Sequence, residues 1–355
     1  MRTVSAIKNI NSTLIVYGLN MVLQFIIRFV LLYYLSIEYL GLNGLFDNIL
    51  TVLSLTELGI GPAIIFSLYS PLANHDLETA KSIMRIFKKA YIYIGTLILF
   101  LGLCISPFVQ YLIKVPPNIA YLNIFFLLFV VDTGISYFYS YKKCLLIADQ
   151  KQYIANYYRG ITQLIGSLFQ IALVILTHSF WVYIILRICM TFSENFLIAR
   201  KADHLYSFLN EKNIQPLNKD IYQSIIRNIK ALILHKIGGV TVFGTSNIIL
   251  SKFVGLSAVA LYTNYYLIIN GIDKLSDQVF NALKASVGNL NESHDDAHKL
   301  VIFKRLEFMT AYLACFICSN LYLLLNPFIT IWLGNSYRFD ESIVLWMVIN
   351  FYLMF

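Results

Sequence analysis

The sequence predicts an all-α polytopic membrane protein, two six-helix bundles in a parallel pseudo-two-fold arrangement with the second repeat truncated. Three observations carry that expectation. Of 355 residues, 58% are apolar and only 13% are charged, and the mean hydropathy is +0.69. A soluble domain carries about 25% charged residues and needs a polar shell that this composition does not supply. The apolar residues fall in long blocks, and a hydrocarbon core about 30 Å thick takes roughly 20 residues of helix to cross, whereas β-barrel strands are alternating segments of about 10. Finally, two short motifs recur in both halves at nearly equal offsets.

Taken in order, the blocks place full spans at 13–35, 40–69, 90–113, 119–140, 153–176 and 180–199, then at 231–253, 257–280 and 306–326, and a partial one at 343–355. The polar N-terminus has no small-residue cleavage site after it and reads as the start of an uncleaved first helix. The run Asn74-His75-Asp76 to Phe87 aligns without gaps to Ser293-His294-Asp295 to Leu306. Pro107-Phe108-Val109-Gln110-Tyr111-Leu112 aligns to Pro327-Phe328-Ile329-Thr330-Ile331-Trp332. Each pair falls at the same point of its half, which predicts a duplicated six-helix unit. An even number of helices inserts both copies in one orientation and sets the symmetry axis along the membrane normal, with a cavity between two lobes. The expected organisation is an N-terminal lobe at 1–199, an amphipathic linker at 200–230, and a C-terminal lobe at 231–355 that lacks its last helices. Within the linker, the stretch 221–229 is expected either to lie on the membrane interface or to stay in a solvated loop.

The net charge of +8 is explained by topology rather than by nucleic acid. Most of the 27 basic residues, among them Arg2, Lys81, Arg85, Lys88, Lys89, Lys142, Lys143, Lys151, Arg159, Arg200, Lys201, Lys212, Lys284 and Lys304, fall in alternate connections, with Lys114 and Arg338 the clear exceptions. The positive-inside rule then predicts a cytoplasmic N-terminus. The cysteines, Cys104, Cys144, Cys189, Cys315 and Cys318, lie in or beside apolar blocks and are expected to pack as small apolar residues. The chain contains no G-x-x-x-x-G-K-[ST], H-E-x-x-H or G-x-S-x-G motif. No cofactor, metal or enzymatic activity is expected, and transport would draw on an ion gradient, the membrane potential or the substrate gradient.

A charge near the bilayer centre costs about 2.5–3.5 kcal/mol on insertion scales, so each one asks for a partner or a task. Arg28 and Asp47 flank the first outer turn at equal depth. As a pair they serve either to hold the hairpin together or to present Arg28 to a cavity as an anion ligand, for which its fork is suited. Glu57 stands in Leu55-Thr56-Glu57-Leu58-Gly59-Ile60-Gly61-Pro62, where two glycines and a proline predict a bent or broken helix, lining a substrate path or only shaping the packing. Asp132 is expected to be isolated in the fourth span, either a proton-coupling carboxylate or a hydrogen-bonding one. Arg187 and Glu194 share a face of the sixth span and are both expected to face the cavity. His235 and Lys236 open the seventh, where Lys236 either snorkels or attracts phosphate at the cavity mouth. Asn247 occupies the position matching Arg28, and the adjacent Asp273 and Lys274 mirror Glu57 only loosely.

The segment 28–72, with Tyr39-Leu40-Gly41-Leu42-Asn43-Gly44-Leu45-Phe46, Leu53-Ser54-Leu55-Thr56-Glu57-Leu58-Gly59-Ile60-Gly61 and Ser67-Leu68-Tyr69-Ser70-Pro71-Leu72, resembles Wzx-type polysaccharide repeat-unit flippases of bacteria. These belong to the multidrug/oligosaccharidyl-lipid/polysaccharide exporter superfamily. The resemblance implies export of an undecaprenyl-diphosphate-linked oligosaccharide across the bacterial cytoplasmic membrane by alternating access. A basic cavity would take the diphosphate and sugars while the polyprenyl tail stays in lipid. The expected substrate-binding set is Arg28, Asp47, Glu57, Arg187 and Lys236, with Asp132 as the ion-coupling candidate. The expected partners are the lipid-linked oligosaccharide and membrane lipids, with a polysaccharide polymerase and glycosyltransferases as further candidates, and no nucleic acid. Rival readings are a cation-coupled multidrug exporter of the same superfamily, a membrane glycan polymerase or ligase, and a scaffold without transport activity.

Overall fold

The computed structural model describes residues 2–57, 59–115, 119–211, 215–293 and 296–354, and side chains throughout these except at 2–6, 210, 234–235, 242–243, 278–293 and 296–298. Of the residues singled out by the sequence, Leu58, Lys212, His294 and Asp295 lie outside the described residues, as do the side chains of Arg2, His235, Lys284 and Ser293. The described chain is helical throughout, in the order α1 (Arg2–Tyr34), α2 (Ile37–Leu53), α3 (Ile60–Ala73), α4 (Leu77–Ile105), α5 (Leu122–Ala148), α6 (Gln152–Thr177) and α7 (Phe180–Leu205). Then follow α8 (Lys219–Phe243), α9 (Ser246–Phe253), α10 (Leu256–Ser293), α11 (Asp296–Leu333) and α12 (Glu341–Met354). Among the described residues, seven helices are long and apolar enough to cross a membrane, and eight when the bent pair α2–α3 is counted as one span. At most 33% of any of the seven single spans' apolar windows is buried within the chain, so most of their apolar side chains face outward, as on lipid-solvated helices. The expected span 257–280 lies in α10, and residues 343–354 of the last block lie in the shorter α12.

Met1–Val259 and Ala260–Phe355 form two compact units. In the first, the break foreseen around Glu57 is present. α2 ends at Leu53, a 3-10 turn covers Ser54–Glu57, and α3 starts at Ile60 at 44° to its predecessor. Gly59 supplies the turn with φ +74°, a left-handed conformation that costs any other L-residue about 1–2 kcal/mol. Hydroxyls take up backbone carbonyls around the break: Thr51 donates to the Asp47 carbonyl, Ser54 to that of Thr51 and Thr56 to that of Leu53. That compensation is what a non-helical segment at membrane depth requires. α4 then begins at a capped end, with Asp76 accepting from the Thr79 N–H. α4 and α5 approach closely through glycines: a Cβ on Gly102 would lie 2.3 Å from Val130, and one on Gly134 would lie 2.7 Å from Leu99.

The segment 200–230 differs from the expected interfacial linker. Arg200 to Leu205 completes α7, a 3-10 turn covers Ser207–Asn210, and α8 already runs from Lys219. The amphipathic stretch turns its apolar stripe inward rather than toward lipid. Ile225 is buried in a core cluster with Ile64, Leu68, Ile83, Phe87 and Leu145, and Ile221 and Ile229 pack on its rim. The spacing of those three isoleucines puts them on one helix face, and α3, α4 and α5 offer that face an apolar partner.

The second unit packs α10, α11 and α12 around Tyr265, Leu321, Leu325, Ile329, Val344 and Val348. A buried polar knot joins Tyr265, whose hydroxyl donates to Asn326 and accepts from the Phe339 N–H, while the Asn326 amide donates to the Phe339 carbonyl.

Candidate functional site

A polar cavity of about 340 Å³ opens inside the first unit, walled by α1, α2, α5, α6 and α7. Each wall contributes polar side chains from an otherwise apolar span: Gln24 and Arg28 on α1, Asn43 and Asp47 on α2, Asp132 on α5, Gln163, Ser167 and Gln170 on α6, and Tyr183, Arg187 and Thr191 on α7. This cavity lies within one helical bundle, whereas the sequence suggested a site between lobes.

Arg187 organises it. Its Nη2 donates to Asp47 Oδ1 at 2.8 Å, its Nε to Asp132 Oδ2 at 2.9 Å, and its Nη1 to Asn43 Oδ1 at 3.0 Å. The guanidinium also stacks over the Phe129 ring, 4.4 Å from the centroid. One side chain thus ties α7 to both α2 and α5, using the rigid fork that distinguishes arginine from lysine. Tyr183 donates to Asn43, the Asn43 amide reaches Asp47, and the Gln170 amide donates to the Tyr183 carbonyl. Arg28 lines the same cavity, within electrostatic reach of Asp47 and Tyr183. Two arginines therefore face two carboxylates, a balance that makes four charges tolerable at this depth.

Two expectations change. Asp47 forms its ion pair with Arg187 of α7, in addition to lying near Arg28, because α7 packs on α5 and its long arginine fork reaches across to α2. Asp132 is not isolated: it is the deeper of the two carboxylates bonded to Arg187, its side chain 7% exposed against 43% for Asp47. Its second oxygen, Oδ1, is buried and accepts no hydrogen bond among the described residues.

Glu57 and Lys236 meet elsewhere, at the α2–α3 break. The Glu57 carboxylate accepts from the hydroxyls of Tyr91 at 3.2 Å and Tyr137 at 3.4 Å, and Lys236 Nζ stands 3.9 Å away. Glu194 does not share the cavity with Arg187. It faces Lys143 at 3.9 Å and Arg159 at 4.0 Å, toward the end of the bundle where α1 begins. Asn247 anchors α9 to α2 instead of answering Arg28: its amide donates to the Gly44 carbonyl and its N–H to Asn48. Asp273 and Lys274 lie on α10.

The uncharged members of the cavity, Asn43, Gln163, Gln170 and Tyr183, escaped a reading built on charges. A signal for the α6 group was present, since Asn156, Gln163, Ser167 and Gln170 recur on one face of an otherwise apolar helix. Asn156 uses that stripe structurally, donating to Ser12 and Thr13 of α1, while the later members open into the cavity.

No family model matches the chain, and no curated protein matches it. Among solved structures, it matches a multidrug resistance MATE family transporter of the MOP superfamily in an inward-facing conformation. The TM-score is 0.66 at 13% identity, over 95% of this chain and 79% of that one. The chain is an all-α polytopic membrane protein with the fold of that transporter.

Proposed function

We propose that the protein is a flippase that moves polyprenyl-diphosphate-linked oligosaccharide repeat units from the inner to the outer leaflet of the bacterial cytoplasmic membrane. The observation that supports this reading is the cavity in which Arg28 and Arg187 oppose Asp47 and Asp132, amid amides and hydroxyls from every wall. A diesterified diphosphate carries one charge on each phosphate, matching two guanidinium groups, and amides and hydroxyls are the natural partners of sugar hydroxyls. In this mechanism the diphosphate displaces Asp47, the more exposed carboxylate, from Arg187. Asp132 takes up a proton on the oxygen that accepts no other bond, which frees Arg187 further, and its release resets the pair. Alternating access then follows from exchange of ion-pair partners at helices α2, α5 and α7. The distribution of basic residues supports a cytoplasmic N-terminus, and a polymerase and glycosyltransferases would supply and consume the cargo.

A second reading, a cation-coupled multidrug exporter, is favoured by the description of the structural neighbour as a multidrug resistance transporter. The experiment that decides is deletion and restoration of the gene with leaflet-resolved detection of lipid-linked oligosaccharide. Accumulation on the inner leaflet only in the deletion supports the flippase. An unchanged distribution with raised sensitivity to cationic drugs replaces it with the exporter.

A further inference from the structure

Apart from the central cavity, a second concavity of about 380 Å³ lies against the first turns of α4. Its basic wall is Lys81, Arg85, Lys88 and Lys89, spaced so that one face of α4 carries all four. The facing wall is made by the short segment after α7, with Phe208, Leu209 and Glu211, and by Tyr141 of α5. That segment is fastened to α4. Lys81, itself buried, donates to Glu211 and to Glu78, both at 2.7 Å, and the Ser82 hydroxyl donates to the Gln215 carbonyl at 2.7 Å. The one carboxylate lining the concavity, Glu211, is thus engaged by Lys81. Arg85, Lys88 and Lys89 are exposed and form no ion pair among the described residues. Three cations without anionic partners converge on a walled space.

Its depth narrows the ligand. The basic residues end at Lys89, and the apolar stretch of α4 begins at Ala90, with Ile92 closing the concavity on that side and Tyr93 exposed next to it. The concavity would therefore lie where headgroups meet hydrocarbon, with its cations toward the headgroup end and Ile92 toward the span, and with further apolar lining from Met84, Phe208 and Leu209. A soluble anion would use only the first end. A phospholipid uses both, its phosphate among the guanidinium and ammonium groups and its first acyl carbons along Ile92.

We propose that this concavity is a binding site for the headgroup of an anionic phospholipid, independent of the cargo carried by the central cavity. Juxtamembrane lysines and arginines attract anionic lipid in general, and the walled geometry adds selectivity for one molecule. The test uses the full chain in detergent, with native mass spectrometry reading binding of phosphatidylglycerol, phosphatidylcholine and inorganic phosphate. The wild type is expected to prefer phosphatidylglycerol, and the triple variant Arg85→Gln/Lys88→Gln/Lys89→Gln to lose at least about ten-fold in its affinity. A control, Arg200→Gln/Lys219→Gln/Arg227→Gln, removes as many exposed cations outside the concavity and is expected to keep the affinity. Equal loss in both triple variants would reduce the effect to overall charge and overturn the site. So would equal binding of phosphatidylcholine. Complete competition by inorganic phosphate would assign the site to a soluble anion instead. The single variant Lys88→Gln gives the same ordering with a smaller effect should the triple variant not fold.

Discussion

Arg187 and Asp132 are joined across α7 and α5 by an Nε–Oδ2 hydrogen bond of 2.9 Å, and the same guanidinium holds Asp47 of α2 at 2.8 Å. A single half-buried guanidinium therefore bridges two carboxylates, and removing it deprives both of that partner. Arg187→Ala is expected to destabilise the protein by up to about 3 kcal/mol, the lower end of the scale for breaking a buried pair, since Arg187 and Asp47 are part-exposed. Arg187→Lys keeps the charge but not the fork, so it should lose less. Thermal unfolding in detergent checks the order wild type, lysine variant, alanine variant.

Asp132 is the deeper carboxylate and has an oxygen without a hydrogen bond among the described residues. Asp132→Asn keeps the shape and removes the charge. Transport by this variant in proteoliposomes should become insensitive to an imposed pH gradient while substrate binding persists. A response to the gradient equal to the wild type would remove Asp132 from the coupling role.

At the start of α4, Asp76 accepts from Thr79, whose side-chain and backbone hydrogen bonds hold the carboxyl below the usual carboxylate range. A depressed folded-state pKa contributes stability that is present above the unfolded value and is lost as pH falls through the folded one. Asp76→Ala should cost about 1 kcal/mol at neutral pH. The difference between variant and wild type should shrink on acidification below the ordinary carboxylate range, which unfolding measured across pH checks.

Most of the spans and the break at Gly59 were legible because each follows from local chemistry: long apolar runs, and a cluster in which Gly59 takes a left-handed turn and Gly61-Pro62 open the next helix. Which charges meet was less legible. Spacing along the chain placed Arg28 and Asp47 at one depth, but the partner that reached Asp47 came from α7, distant in sequence. Asp132 seemed alone for the same reason, since its partner Arg187 lies on another span. Glu57 and Lys236 were each singled out as polar residues of apolar spans, yet nothing in the sequence brought α8 beside the break. The stripe on 221–229 was visible as amphipathic, and only the packing of α8 revealed that its apolar side covers protein. Periodicity finds a face and leaves its partner to the fold.

The first residue of α10 approaches α2 so closely that a Cβ on Gly41 would lie 2.3 Å from the Leu256 carbonyl oxygen. Gly41→Val should force the helices apart, weaken the Asn247 bonds to Gly44 and Asn48, and destabilise by about 1–3 kcal/mol. Gly18→Ala, with nothing within 4 Å of its added carbon, should stay within about 0.5 kcal/mol of wild type. Chemical denaturation of the two variants side by side measures the contrast.

Arg28 separates the two functional readings. In the cavity it completes a balance of two arginines and two carboxylates, and without it Asp47 and Asp132 still share Arg187. Arg28→Ala should therefore insert and fold, while the cavity becomes net negative. An anionic diphosphate is then repelled and loses one of its two guanidinium ligands, so export of lipid-linked oligosaccharide should be abolished. A cationic drug would meet the opposite change and be exported as well as before or better. Normal oligosaccharide export by a stably expressed Arg28→Ala protein would take Arg28 out of the site, and sustained drug export with the oligosaccharide distribution untouched would give the cavity to cations.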